Sequence, residues 1–76
     1  MIRAAMLRDP RIDPVPGDSI CRGFSGNVQI IREVERAHGG FVGFWRDNGF
    51  RECRKIVSLE KWRRWAKQAE ILEVAP

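Results

Sequence analysis

From Ser19 onward, apolar and polar residues alternate in short runs separated by turn-forming residues. Ser19 to Phe24 sets Ile20, Arg22 and Phe24 against Ser19, Cys21 and Gly23, a period of two that predicts a strand. Ser25-Gly26-Asn27 supplies turn chemistry before a second run, Val28 to Ala37, so the two runs read as a hairpin. In that second run Val28, Ile30 and Val34 share one parity and Ile31 takes the other, which predicts a bulge or twist that moves the core face partway along. Val28, Ile31, Val34 and Glu35 also have helical spacing, so strand and amphipathic helix both stand for residues 28–37. Ala37-His38-Gly39-Gly40 is a turn in which glycine can take positive φ, and it leads into Phe41 to Arg46. Asp47-Asn48-Gly49 then joins that run to Phe50 to Val57, the strongest hairpin signal in the chain.

At Ser58 the period changes. Leu59, Trp62, Ala66 and Ala69 fall on one face of a helix predicted over residues 58–70, with Lys61, Arg63, Arg64 and Lys67 mostly on the other faces. Ser58 is a suitable N-cap, and Glu60 lies near the positive end of the helix. Ile71 to Val74 reads as a short final strand. Five short strands and one amphipathic helix make a mainly β (α+β) domain, predicted as a small SH3-like five-stranded barrel or a strongly bent sheet, because closure removes exposed sheet edges. The helix would plug one open end, with Trp62 in the core. Phe44 shares a parity with Val42 and should also face inward, which leaves Trp45 outward.

The first 18 residues follow a different rule. Pro10, Pro14, Pro16 and Gly17 are too dense for a regular element, so residues 1–18 read as an extended, proline-rich arm ahead of one domain at 19–76. A chain of 76 residues supports one small core, burying about 60% of its unfolded surface. The hydrophobic fraction of 43% suffices for that core, and 32% charged residues is a normal soluble surface. No apolar run approaches a membrane span, and Arg3 and Arg8 break the N-terminal apolar stretch, which makes a poor export signal. The expected location is therefore the cytoplasm, where Cys21 and Cys53 would be reduced thiols.

Charge changes the picture further. Residues 51 to 67 hold Arg51, Arg54, Lys55, Lys61, Arg63, Arg64 and Lys67 against Glu52 and Glu60, a local balance of +5 within a net charge of +4. Such clustering either blocks edge pairing or draws an anionic partner. Catalytic chemistry is poorly supplied. The one histidine, His38, sits in a glycine-flanked turn; no HExxH, GxSxG or Walker pattern occurs; and the cysteines lack ligand spacing. Cys53, beside Arg51, Arg54 and Lys55, is the one candidate for an activated thiol. The expectation is a non-enzymatic domain with neither cofactor nor metal.

Asp9-Pro10-Arg11-Ile12-Asp13-Pro14-Val15-Pro16-Gly17-Asp18 near the start, with Leu59, Trp62, Trp65-Ala66 and Ala69-Glu70-Ile71 near the end, resembles a group of small uncharacterised proteins encoded by bacteriophages and prophages. The likeness covers both ends of the chain, while the middle matches in rhythm alone. It implies a small phage accessory protein acting inside a bacterial host and carries no binding residues with it. Two readings of the partner follow from the residues themselves. Trp45, Arg46, Arg51, Arg54, Lys61, Arg63, Arg64 and Lys67 form either a docking surface for a host or phage protein or a nucleic-acid-binding face.

Overall fold

The computed structural model describes residues 8–23, 30–47 and 52–76. Within them the alternating runs form one antiparallel sheet of five strands: β1 (Ser19–Arg22), β2 (Ile30–His38), β3 (Phe41–Asp47), β4 (Glu52–Ser58) and β5 (Ala69–Glu73), in the order β4-β3-β2-β1-β5. One helix, α1 (Leu59–Ala66), connects β4 to β5. Residues 30–38 are strand rather than helix, because β2 is laddered to β1 on one side and to β3 on the other, which uses its backbone donors and acceptors in both directions. The expected irregularity is there: Val34 pairs with Phe44 but Arg36 with Gly43, leaving Glu35 as the extra residue of a bulge. The turns proposed at 25–27 and at Asn48-Gly49 lie outside the described residues, as does Arg51.

His38 pairs with Phe41, so the β2–β3 loop has two residues, Gly39 at φ 64° and Gly40 at φ 81°. A two-residue hairpin loop whose twist matches its strands requires positive φ at both positions, which glycine adopts without strain. The carbonyl of Gly40 accepts a hydrogen bond from the Leu59 N–H at 2.8 Å, which fixes the start of α1 over this turn. The Ser58 hydroxyl caps the helix by accepting from the Lys61 N–H at 3.1 Å.

α1 lies on one face of the sheet, and the core fills the space between them. Ile20, Val34, Val42 and Phe44 contribute from the strands, Trp62 and Ala66 from the helix, and Ala69 from the start of β5. Trp62 is completely enclosed, its ring 5.4 Å from that of Phe44 and tilted at 56°. Burial of that size is worth about 4–6 kcal/mol before conformational entropy is subtracted. The helix is shorter than its spacing predicts. It ends at Ala66 because Ala69 must pair with Arg22 to carry β5 along β1, so Ala69 enters the core as a strand residue. Barrel closure is not formed among the described residues: β4 and β5 are the two sheet edges and share no ladder, and α1 covers the face between them instead.

Residues 8–18, expected as an extended arm, fold back as a turn. The Ile12 and Asp13 N–H groups both donate to the Asp9 carbonyl at 2.8 Å, and Pro10 and Pro14 are buried. The Pro10 carbonyl accepts from the indole Nε1–H of Trp62 at 3.0 Å, which satisfies the only polar atom of the core tryptophan. Asp18, fully enclosed, accepts from both terminal nitrogens of Arg8, from the Val15 N–H at 2.8 Å and from the Ala75 N–H at 2.7 Å. Gly17 at φ 98° lets the chain pass this point, where a Cβ would lie 3.1 Å from that of Ala75.

A cationic aromatic pocket as the candidate functional site

The sheet register decides where each candidate residue goes. Val42, Phe44 and Arg46 of β3 face α1, paired across β2 with Ala37, Val34 and Arg32. Phe41, Gly43 and Trp45 face the opposite side. Trp45 and Arg46, expected on one surface, are therefore on opposite faces of the sheet. Trp45 is half-buried under the guanidinium of Arg54, its register partner, at 4.6 Å from the ring centroid, and Arg54 also pairs with Glu35 at 3.4 Å.

The helix divides its cations in the same way. Arg63 donates to the Ile12 carbonyl at 2.8 Å and pairs with Asp13 at 3.5 Å, and with Lys67 it borders a hollow against Asp9, Arg11 and Ile12. Lys61 and Arg64 lie on the other flank and line a pocket of about 420 Å³ with Arg22, Arg32, Val57, Trp65 and Gln68. The eight residues expected to make one surface are thus dispersed: Trp45 and Arg54 on the outer sheet face, Arg46 on the face toward α1, Arg63 with Lys67 and Lys61 with Arg64 on the two flanks of the helix, and Arg51 outside the described residues.

The pocket beside Lys61 and Arg64 has an unusual balance of charge. Its lining includes four cations and no carboxylate. Arg32 reaches in from β2 with its guanidinium 3.9 Å from the centroid of Trp65, 4.4 Å from that of Phe44 and 5.8 Å from that of Trp62. Arg22 reaches in from β1, 5.3 Å from the same Trp65 ring, and donates to Gln68 Oε1 at 2.8 Å. The Nε–H of Arg32 is enclosed and has no acceptor. Leaving such a donor unpaired costs about 1–3 kcal/mol. Burial, with the nearby positive charges of Arg46 and Arg22, pulls the Arg32 guanidinium down to about 10. It remains a cation at neutral pH, stabilised by ring faces rather than by an opposite charge.

Arg22, Arg32, Trp65 and Gln68 were not among the residues singled out from the sequence. Trp65 carried a signal, since it lies on the margin of the helix stripe. Arg32 and Arg22 carried none, because their meeting depends on the β1–β2 pairing that sets Arg32 opposite Ile20 and puts Arg22 on the same face.

Neither a protein-family model, a curated protein nor a solved structure matches this chain. The chemistry of the pocket therefore has to be read from its own residues. No group of three or more His, Cys, Asp or Glu side chains is gathered at metal-binding distance among the described residues. Cys21 and Cys53 lie on β1 and β4, with β2 and β3 between them, so their separation of roughly 14 Å exceeds the reach of a disulfide. Cys53 is half-buried opposite Arg46, and His38 is exposed at the end of β2. The pocket is equipped to hold an anion: the guanidiniums of Arg22 and Arg32, set in place by aromatic rings and an amide, and the exposed side chains of Lys61 and Arg64, which add charge.

Proposed function

We propose that this chain is a non-enzymatic binding module that holds a nucleic-acid strand at the pocket formed by Arg22, Arg32, Lys61, Arg64 and Trp65. The observation that carries the reading is the group of four cations that line one pocket with no carboxylate among them. Clustered cations without a counter-charge disfavour the folded state, and an anion in the pocket would offset that cost. Phosphates supply the charge that these four cations lack. The strand order with a helix between the last two strands supports an SH3-like arrangement, a small β architecture suited to such a surface. The setting implied by the resemblance is the cytoplasm of a bacterium hosting a phage or prophage.

The decisive measurement is fluorescence anisotropy of a labelled single-stranded oligonucleotide across salt concentrations. Each neutralised phosphate contributes about −0.7 to the log–log slope for a single strand, so these four cations allow a slope of up to about −3. Absence of binding at ~50 mM salt would exclude the reading.

A second reading has its own observation. The outer sheet face exposes Ile56 at 72% and Phe41 at 57%, beside the notch at Gly43 and the Trp45–Arg54 stack. Exposed apolar side chains beside an aromatic–arginine pair are the residue types of protein hot spots, which supports a host or phage protein partner on that face. If a stoichiometric partner is captured by wild type and lost with Trp45→Ala, Arg54→Ala while the anisotropy shows no strand binding, the protein reading replaces the first.

A further inference from the structure

We propose that the pocket seats the terminal phosphate monoester of a nucleic-acid strand, so that the domain recognises a phosphorylated strand end rather than the continuous backbone. This rests on the nucleic-acid reading and narrows it to one chemical group.

The shape of the site is the first argument. Arg22 comes from β1, Arg32 from β2, Val57 from β4, Lys61, Arg64 and Trp65 from α1, and Gln68 from the turn after the helix. A track for a passing backbone would spread its cations along a groove. Here they converge from three elements on one open recess of about 420 Å³, at the small end of the range for small-molecule pockets. That space admits one nucleotide-sized group.

Charge is the second argument. An internal phosphodiester carries a single negative charge, whereas a phosphate monoester carries about −1.5 to −2 at neutral pH and has three strong acceptor oxygens. Four cations without a counter-charge overmatch a diester and suit a monoester.

Donor geometry is the third. The rings of Trp65, Phe44 and Trp62 lie against the guanidinium of Arg32 and its Nε–H is enclosed, which leaves the terminal N–H groups to meet a ligand. Edge-on approach is how a guanidinium binds phosphate oxygens bidentately. Arg22 is fixed by Gln68 and by Trp65. Two of the donors are therefore oriented before the ligand arrives, which lowers the entropy lost on binding.

The experiment compares three forms of one short oligonucleotide (5′-phosphorylated, 3′-phosphorylated and unphosphorylated) by anisotropy with the full chain at ~150 mM salt. At least one phosphorylated form should bind about tenfold or more tightly than the unphosphorylated form, the size of effect expected for added charge-assisted hydrogen bonds. Arg32→Met should bring the forms together. Lys61→Ala, Arg64→Ala changes only exposed positions and should shrink the same preference without depending on how the core tolerates a change at Arg32. Equal affinity of all three forms, with strong salt dependence, overturns the strand-end proposal and leaves the nucleic-acid reading standing. No binding by any form overturns both. A nucleoside monophosphate competing as well as the phosphorylated strand overturns the strand-end assignment in favour of a free nucleotide.

Discussion

The two flanks of α1 use arginine in opposite ways. On the flank facing residues 8–18, the arginines meet carboxylates or backbone carbonyls: Arg8 pairs with Asp18, Arg11 with Asp9 at 3.0 Å, and Arg63 with Asp13. On the other flank, Arg22, Arg32, Lys61 and Arg64 surround Trp65, and no carboxylate among the described residues pairs with them. Helix periodicity alone treats Arg63 and Arg64 as equivalent surface cations. Their surroundings separate them: neutralised cations hold this molecule together, and cations left uncompensated mark where a ligand would have to supply the missing charge.

The largest expected effect breaks the paired flank. Asp18→Ala should lower stability by about 3–5 kcal/mol in chemical denaturation, because it strands Arg8 and removes the acceptor for the Val15 and Ala75 N–H groups. The same carboxylate sets the acid response. Burial alone would push Asp18 up, but the bonds from Arg8, Ala75 and Val15 outweigh it and hold it below the usual carboxylate range, and Arg11 does the same for Asp9. A depressed folded value means that this stability is fully present above the unfolded carboxylate value of about 4 and is lost as pH falls through the folded one. Wild type should hold its melting temperature from neutral pH down to about pH 5 and lose it below. A profile that declines equally between pH 8 and 6 would place the sensitive group elsewhere.

Next in size is Trp62, which touches both flanks. Trp62→Phe keeps an aromatic ring against Phe44 but leaves the Pro10 carbonyl without its donor and a small void, for a loss of about 1–3 kcal/mol by thermal melt.

Arg32→Met sharpens the comparison through a smaller change of opposite tendency. Replacing a half-buried cation that has no counter-charge by an apolar side chain of similar length should leave stability within ~1 kcal/mol of wild type or raise it, while the preference for a phosphorylated strand is lost. Destabilisation as large as that of Asp18→Ala would mean that the ring contacts of Arg32 are a structural element after all. The smallest effect belongs to Arg63→Ala, an exposed pair whose removal should cost no more than ~0.5 kcal/mol and leave strand affinity unchanged.

These expectations differ in how far the sequence could reach them. The strands other than β2, the bulge near Val34, the Ser58 cap and the inward Trp62 and Phe44 were legible, because each follows from local period or from a turn residue with one suitable conformation, whereas the period of residues 28–37 fitted helix and strand alike until the ladders to β1 and β3 decided it. The end of α1 was not, since Ala69 satisfies a helical stripe and a strand equally well until β1 claims it. The folding-back of residues 8–18 was also hidden: proline density reports the absence of regular structure, not what the segment packs against. The pocket was half visible. Lys61 and Arg64 stood out by their number, whereas Arg22 and Arg32 come from two different strands, and only the register puts them against Trp65. Trp45 and Arg46, adjacent in sequence, were separated by the alternation that makes a strand.

The Asp18 carboxylate also has a kinetic meaning. It joins Ala75 to a residue 57 positions earlier, and Arg8 bonds the Ala75 carbonyl across 67 positions. Contacts that close loops of that length carry the greatest entropic cost before they return any energy, so they form after the β2–β3 hairpin and the helix have set the surrounding frame. An interaction completed after the folding barrier adds little to the speed of reaching the native state and slows departure from it. The clasp at Asp18 is therefore expected to act as a brake on opening, so that the lifetime of the folded chain depends on it more than the rate of assembly does.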